Sequence, residues 1–210
     1  VPIKHNSATS AYTGLTLARI NTQPYLYAAD FRANKIEVWD SLWNPVAMPF
    51  KDPYQAKGYA PFNIQVVGTH LYVAYAKVGP NGKDVPGNGN GYVSIFTTTG
   101  QFVKRFASRG ALNAPWGVAS APDSFFVDTE DAEMMKGGGN DDELNGPVIL
   151  IGNFGDGRIN AYSQYGQHLG AIRKNGCTLV IEGLWAISFA PTTSTIDQKR
   201  LYFTAGPDDE

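Results

Sequence analysis

A strand doublet that recurs four times constrains this chain more than any other feature. A short apolar strand is followed by a second one reading Leu-Tyr or its equivalent. The first strands are Gly14–Leu17, Pro61–Ile64, Pro115–Val118 and Leu184–Ile187, and the second are Leu26–Asp30, Leu71–Tyr75, Ile149–Asn153 and Leu201–Ala205. Self-similarity at a period of roughly 40–50 residues marks an array of repeated supersecondary units. Three repeats go on to a third strand, at Lys35–Asp40, Gly91–Phe96 and Gly157–Tyr162, where polar and apolar residues alternate as in a half-buried strand. Polar or glycine-containing turns then lead to fourth strands at Asn44–Met48, Phe102–Phe106 and His168–Ile172. Four antiparallel strands, repeated, are the blade of a β-propeller. The chain is therefore predicted to be all-β, with Leu15, Phe62, Trp116 and Trp185 in equivalent places on successive blades.

The blade count has a consequence. Residues 12–50, 60–107 and 114–173 make three blades and residues 182–206 half of a fourth, within a single incomplete domain spanning 1–210. Three and a half blades do not close a ring of about 4–8. Open blade faces and strand edges invite association, so the chain is expected to be a piece of a longer protein, its partners being the remaining blades or another chain. Val1 is not an initiator Met, and Gly206–Glu210 fall between the second and third strands of a blade.

Composition narrows the function classes. With 23 Gly, 13 Pro and only 17% charged residues, the chain lacks long stretches at a 3.6-residue period, and no run approaches the ~20 apolar residues of a membrane span. A net charge of −2 gives no electrostatic footprint for nucleic acid. Cys177 is the sole cysteine, which excludes an internal disulfide and reads as a half-buried thiol in a loop. His5, His70 and His168 have no acid or nucleophile at a recognisable catalytic spacing.

Two insertions interrupt the repeats. Residues 79–91 are rich in glycine and asparagine, and residues 128–147 hold Asp128, Glu130, Asp131, Glu133, Asp141, Asp142 and Glu143 against a single Lys136. The acidic insertion reads either as a calcium loop or as a solvated surface segment, and its spacing matches no fixed calcium template. Both insertions are expected to be mobile. The functional surface of a propeller is usually the mouth of its central channel. There Asn63 lies on a first strand, with Thr16, Gly117 and Ala186 as its equivalents, and Trp116 and Trp185 form either an aromatic platform or inter-blade packing. Asp30, Asn153 and Asp156 sit at or just beyond second-strand ends, where they either cap turns or converge on a cation such as calcium.

Several blocks resemble an exported, mostly bacterial family of six-bladed propellers of no established reaction, some with a PEP-CTERM sorting tail. They are Ala28–Phe31, Gly58–Ile64, Gly152–Ala161 and Leu201–Pro207. More distantly the pattern is similar to NHL and YVTN propellers. The resemblance implies secretion to the periplasm or cell exterior, and about two further blades before Tyr12. Two functions follow from the reading as a whole. The first is a non-catalytic exported propeller that binds a protein, glycan or surface partner through the channel mouth and the inserted loops. The second is a metal-dependent lyase or lactonase using Asp30, Asn63 and Asn153 at the central channel. The repeats account for nearly every motif without chemistry, which favours the first.

Overall fold

A computed structural model of the chain describes residues 9–126 and 146–206. Among them the only helical element is one 3₁₀ turn, Asp123–Phe125. The first sheet joins β1 (Tyr12–Ile20), β2 (Gln23–Asp30) and β3 (Lys35–Trp39). The second pairs β4 (Tyr59–Val67), β5 (His70–Lys77), β6 (Gly91–Thr97) and β7 (Phe102–Ser108) in that order. The third does the same with β8 (Pro115–Ser120), β9 (Ile149–Asn153), β10 (Ile159–Tyr162) and β11 (His168–Ala171). A two-residue hairpin, β12 (Arg173–Lys174) and β13 (Cys177–Thr178), precedes the fourth sheet of β14 (Leu184–Phe189) and β15 (Leu201–Ala205).

Period-2 alternation decides how the sheets stack. The first sheet turns Ala18, Tyr27, Ala29 and Val38 toward Ile64, Leu71, Val73 and Phe96 of the second. The second turns Tyr72, Ala74, Val93 and Ile95 toward Val118, Ile149, Ile151 and Tyr162 of the third. The third buries Ala119, Leu150, Ile159 and Ala161 against Leu184 and Ile187. Innermost, β1 lies against β4, β4 against β8, and β8 against β14. Antiparallel sheets stacked face to face with their first strands side by side are the blades of a β-propeller, and the chain has that fold.

The first blade departs from expectation. The strand expected at Asn44–Met48 is reduced to a bridge between Trp39 and Pro45, with the Val46 N–H donating to the Val38 carbonyl at 2.8 Å. Pro45 has no N–H to offer a ladder, and the chain instead swings across to the second blade. Phe50 packs on Tyr27 and Phe96, with ring centroids 5.9 and 5.5 Å away. Beyond it Asp52, fully buried, accepts hydrogen bonds from Ser94 Oγ at 2.6 Å and from an Arg105 guanidinium nitrogen at 2.7 Å, while the Tyr54 N–H donates to its other oxygen at 2.8 Å. The guanidinium lies 3.7 Å over the Tyr92 ring, and Tyr92 stacks on Tyr75 at 4.5 Å. A buried carboxylate needs such partners, so the connecting segment is clamped to β6 and β7.

Other expectations also shift. Cys177 lies on β13 and is exposed, where the sequence suggested a half-buried loop thiol. The insertion at 79–91 is pinned rather than loose along its second half. Gly87 N–H donates to Asn113 Oδ1 at 2.6 Å, Gly89 N–H to the Leu112 carbonyl at 2.8 Å, and the Asn90 carbonyl accepts from Ala114 N–H at 3.0 Å. The seven acids of the other insertion lie outside the described residues.

Candidate functional site

The geometry where the first strands begin rests on one repeated irregularity. Each first strand carries an extra residue in its pairing with the second strand: Thr13 in β1, Phe62 in β4, Trp116 in β8, and one within Trp185–Ala186 in β14. A β-bulge bends the strand and re-aims the side chain it inserts. These bulges fix the true equivalences. Thr13, not Leu15, matches Phe62, Trp116 and Trp185, and Gly14, not Thr16, matches Asn63 and Gly117. A sequence alignment by hydrophobic pattern misses this because a bulge adds a residue without altering local alternation.

The bulged residues knit three blades together. Thr13 Oγ1 donates to the Phe62 carbonyl at 2.7 Å. Asn63 Nδ2 donates to the Trp116 carbonyl at 2.8 Å, and Trp116 Nε1 donates to the Thr13 carbonyl at 2.9 Å. The last bond spans from the third blade to the first, so the Trp116 indole reaches past the second blade. First strands approach closely here. A Cβ on Gly14 would lie 2.0 Å from Asn63 Oδ1, and one on Gly117 would lie 2.9 Å from the Trp185 carbonyl oxygen. Asn63 Oδ1 is buried without a hydrogen-bond partner, facing the position a Gly14 side chain would take.

Asp30 and Asn153 occupy matching ends of β2 and β9 and do the same work. Asp30 Oδ1 accepts from Ala11 N–H at 2.9 Å and Ala33 N–H at 3.0 Å. Burial pushes the Asp30 carboxyl up, but the two backbone N–H groups, the Ser10 hydroxyl and the Lys35 charge more than offset it and hold it below the usual carboxylate range. Asn153 Oδ1 accepts from Asn113 N–H at 3.1 Å, and its amide donates to the Ala111 carbonyl at 2.8 Å and to Asp156 Oδ1 at 3.0 Å. Asp156 also accepts from Arg158 N–H at 3.2 Å, closing a turn in which Gly157 takes φ +67°. Each polar side chain thus satisfies backbone donors that the strand ends leave open. Asp30 and Asn153 belong to different blades, and no cluster of three His, Cys, Asp or Glu side chains suited to a metal occurs among the described residues.

What does converge at this end is aromatic. Phe31 packs on Phe62 at 5.1 Å, and Phe62 on Phe154 at 6.0 Å and Trp185 at 6.3 Å. Trp185 leans on Phe154 at 4.3 Å and meets Trp116 edge-on at 5.6 Å and 87°. Trp116, Phe154 and Trp185 are only partly buried. The Trp116 N–H is held by Thr13, whereas the Trp185 indole N–H has no hydrogen bond to any described residue. Phe31 and Phe154 were not anticipated. Their signal was present as a repeated polar-Phe dipeptide closing the second strand, Asp30-Phe31 and Asn153-Phe154. The insertion at 79–91 joins β5 to β6 at this same end. β8 ends and β9 begins at the opposite end, so the strands bordering the two insertions do not meet at one surface.

The site belongs to a β-propeller. No protein-family model matches the chain. Two uncharacterised proteins of Acanthamoeba polyphaga mimivirus are each 37% identical to it. One matches over 192 residues, 88% of this chain and 43% of its own length, and the other over 211 residues, 95% of this chain and 49% of its own length. The chain thus spans about half the length of these curated relatives. Among solved structures, virginiamycin B lyase from Staphylococcus aureus is similar with a TM-score of 0.46 and 9% identity, covering 95% of this chain and 64% of its own. An alpha-L-arabinofuranosidase of Fusarium graminearum gives a TM-score of 0.47 and 13% identity, covering 83% of this chain and 48% of its own. The sheet arrangement itself, not these likenesses, defines the fold.

Proposed function

We propose that this chain is part of an exported, non-catalytic β-propeller that binds a protein, glycan or surface partner at the mouth formed by the first-strand bulges. The carrying observation is Trp185. It is half-buried beside Phe154 and Trp116, with an indole N–H left unbonded by the described residues. An aromatic ring with one apolar face and one free donor suits recognition of a sugar ring or an exposed peptide side chain. The pinned segment 85–91 lies at the same end and adds backbone polar groups. Asp30 Oδ1, Asn153 Oδ1 and Asp156 Oδ1 are each engaged by backbone or amide donors, while Asp30 Oδ2 is buried without a hydrogen-bond partner, so a calcium or lyase site rests on Asp30 Oδ2 alone and is the weaker reading. Placement outside the cell rests on the resemblance of Gly58–Ile64 and Gly152–Ala161 to the exported family.

The test is a screen of the chain on glycan and peptide arrays, with Trp185→Ala and the ring-preserving Trp185→Phe as comparisons. The reading expects a hit that Trp185→Ala weakens at least about tenfold, which is about 1.4 kcal/mol. Val103→Ser, on the exposed outer strand β7, should leave binding unchanged. Arrays without a hit, or a hit indifferent to Trp185→Ala in a variant whose circular dichroism matches the parent, overturn the proposal.

A further inference from the structure

The face of the first sheet that turns away from the second blade is apolar and open. Leu15 and Leu17 are 63% and 65% exposed. An open cleft of about 280 Å³ beside them is lined by Tyr12, Leu15, Leu26, Trp39, Trp43 and Pro45, among others. The pairing registers place Leu15 in the same blade position as Ile64, Val118 and Ile187. Those three are exposed by only 0%, 2% and 4%, each covered by the preceding sheet. Leu26, which is only partly buried, likewise matches Leu71, which is fully buried.

We infer that this face is the seat of a further blade of the same polypeptide, packed before β1 with the geometry of the three interfaces already formed. Monomeric proteins do not commonly leave so contiguous an apolar sheet face in water. Two observations select the occupant. The relatives that this chain covers to only 43% and 49% of their length have room for additional blades. A second copy stacking head-to-tail would offer the outer face of the fourth sheet, which has two strands, β14 and β15, and presents Ser188 and Tyr202 there. In each formed interface, by contrast, the covering sheet has at least three strands, with apolar residues such as Val38 or Ile95 on its third. Two strands would leave Trp43, 51% exposed and lying beyond the third strand of the first sheet, without cover. The inference is independent of what the mouth binds.

Thiol labelling separates the outcomes. Leu17→Cys is placed in a Cys177→Ser background, since Cys177 is exposed and is the sole cysteine. Labelling by a maleimide is followed in the isolated 210-residue chain and in the full native polypeptide that contains it. Leu15→Cys serves as a second probe, and Leu42→Cys, at a turn position that is 77% exposed, as the control. The seat predicts that the Leu17→Cys thiol labels fast in the isolated chain at high dilution and slower by on the order of 100-fold in the full polypeptide, while the Leu42→Cys thiol labels equally fast in both. Equal rates in the two proteins for both the Leu17→Cys and the Leu15→Cys probes overturn the inference. So does a native polypeptide no longer than this chain. Protection that arises in the isolated chain and grows with its concentration assigns the face to a second copy instead, and also overturns it.

Discussion

Removing the Asp52 carboxylate should detach the connecting segment from the second blade. Asp52 is fully buried and accepts three hydrogen bonds, from Ser94, Arg105 and the Tyr54 backbone. In Asp52→Ala the Ser94 hydroxyl keeps its contact with Arg105 Nε at 2.9 Å, but the guanidinium is left without its counter-charge. Breaking one side of a fully buried pair costs about 3–5 kcal/mol. Arg105 keeps 22% of its side chain in solvent and retains the Tyr54 carbonyl and the Tyr92 ring, so part of that cost is recovered. A loss of about 2–3 kcal/mol is expected, with Asp52→Asn near the lower figure because it keeps the volume. At a urea dependence of about 2 kcal/mol per molar, the unfolding midpoint should fall by roughly 1–1.5 M. A double-mutant cycle with Arg105→Met isolates the pair and should return a coupling of about 1.5–2 kcal/mol. The exposed pair Arg200–Asp197, with side chains 77% and 47% exposed, is the internal control and should couple by less than about 0.5 kcal/mol. A midpoint shift below about 0.4 M for Asp52→Ala, or no coupling in the cycle, would refute the clamp.

Gly14→Ala should destabilise by about 1–3 kcal/mol in urea unfolding, because its Cβ meets both Asn63 Oδ1 and the Asn63 backbone, and a neutral result would mean β1 and β4 are not so close. Trp116→Phe keeps a ring but leaves the Thr13 carbonyl without its donor, so a loss of about 1–2 kcal/mol is expected in the same assay, more than for Trp185→Phe, whose indole N–H bonds to none of the described residues. For Asp30 the folded carboxyl is held below its unfolded value, so its contribution is present above the unfolded pKa and is lost as pH falls through the folded one. Stability of the parent measured from about pH 5 down to about pH 2 should therefore drop more steeply below about pH 4 than that of Asp30→Asn, and parallel curves would contradict the assignment.

How much of this was legible in advance depends on the range over which each feature is specified. The four strand doublets, the third strands and most turns follow from alternation and from glycine, proline and asparagine placement, all of which act within a few residues. Turn capping by Asp156 was readable for the same reason, since its acceptor role involves Asn153 and Arg158 only three and two residues away. The fourth strand of the first blade was misread because the apolar alternation of Val46–Met48 looks strand-like locally despite Pro45, while the decisive partner, Arg105, lies 53 residues from Asp52. The Trp116 latch joins residues 103 apart.

The sequence by itself determined that the chain is a repeated antiparallel β array with a surplus of apolar surface, because hydrophobic period and turn chemistry are written locally. Only the tertiary structure decided the blade equivalences, the closure of Thr13, Asn63 and Trp116 into one network, and which apolar residues remain uncovered. Bulges shift register without changing the alternation that a sequence displays, and burial is a property of neighbours. Leu15 and Ile64 read alike in sequence, and what separates them is that a sheet stands in front of one and not the other.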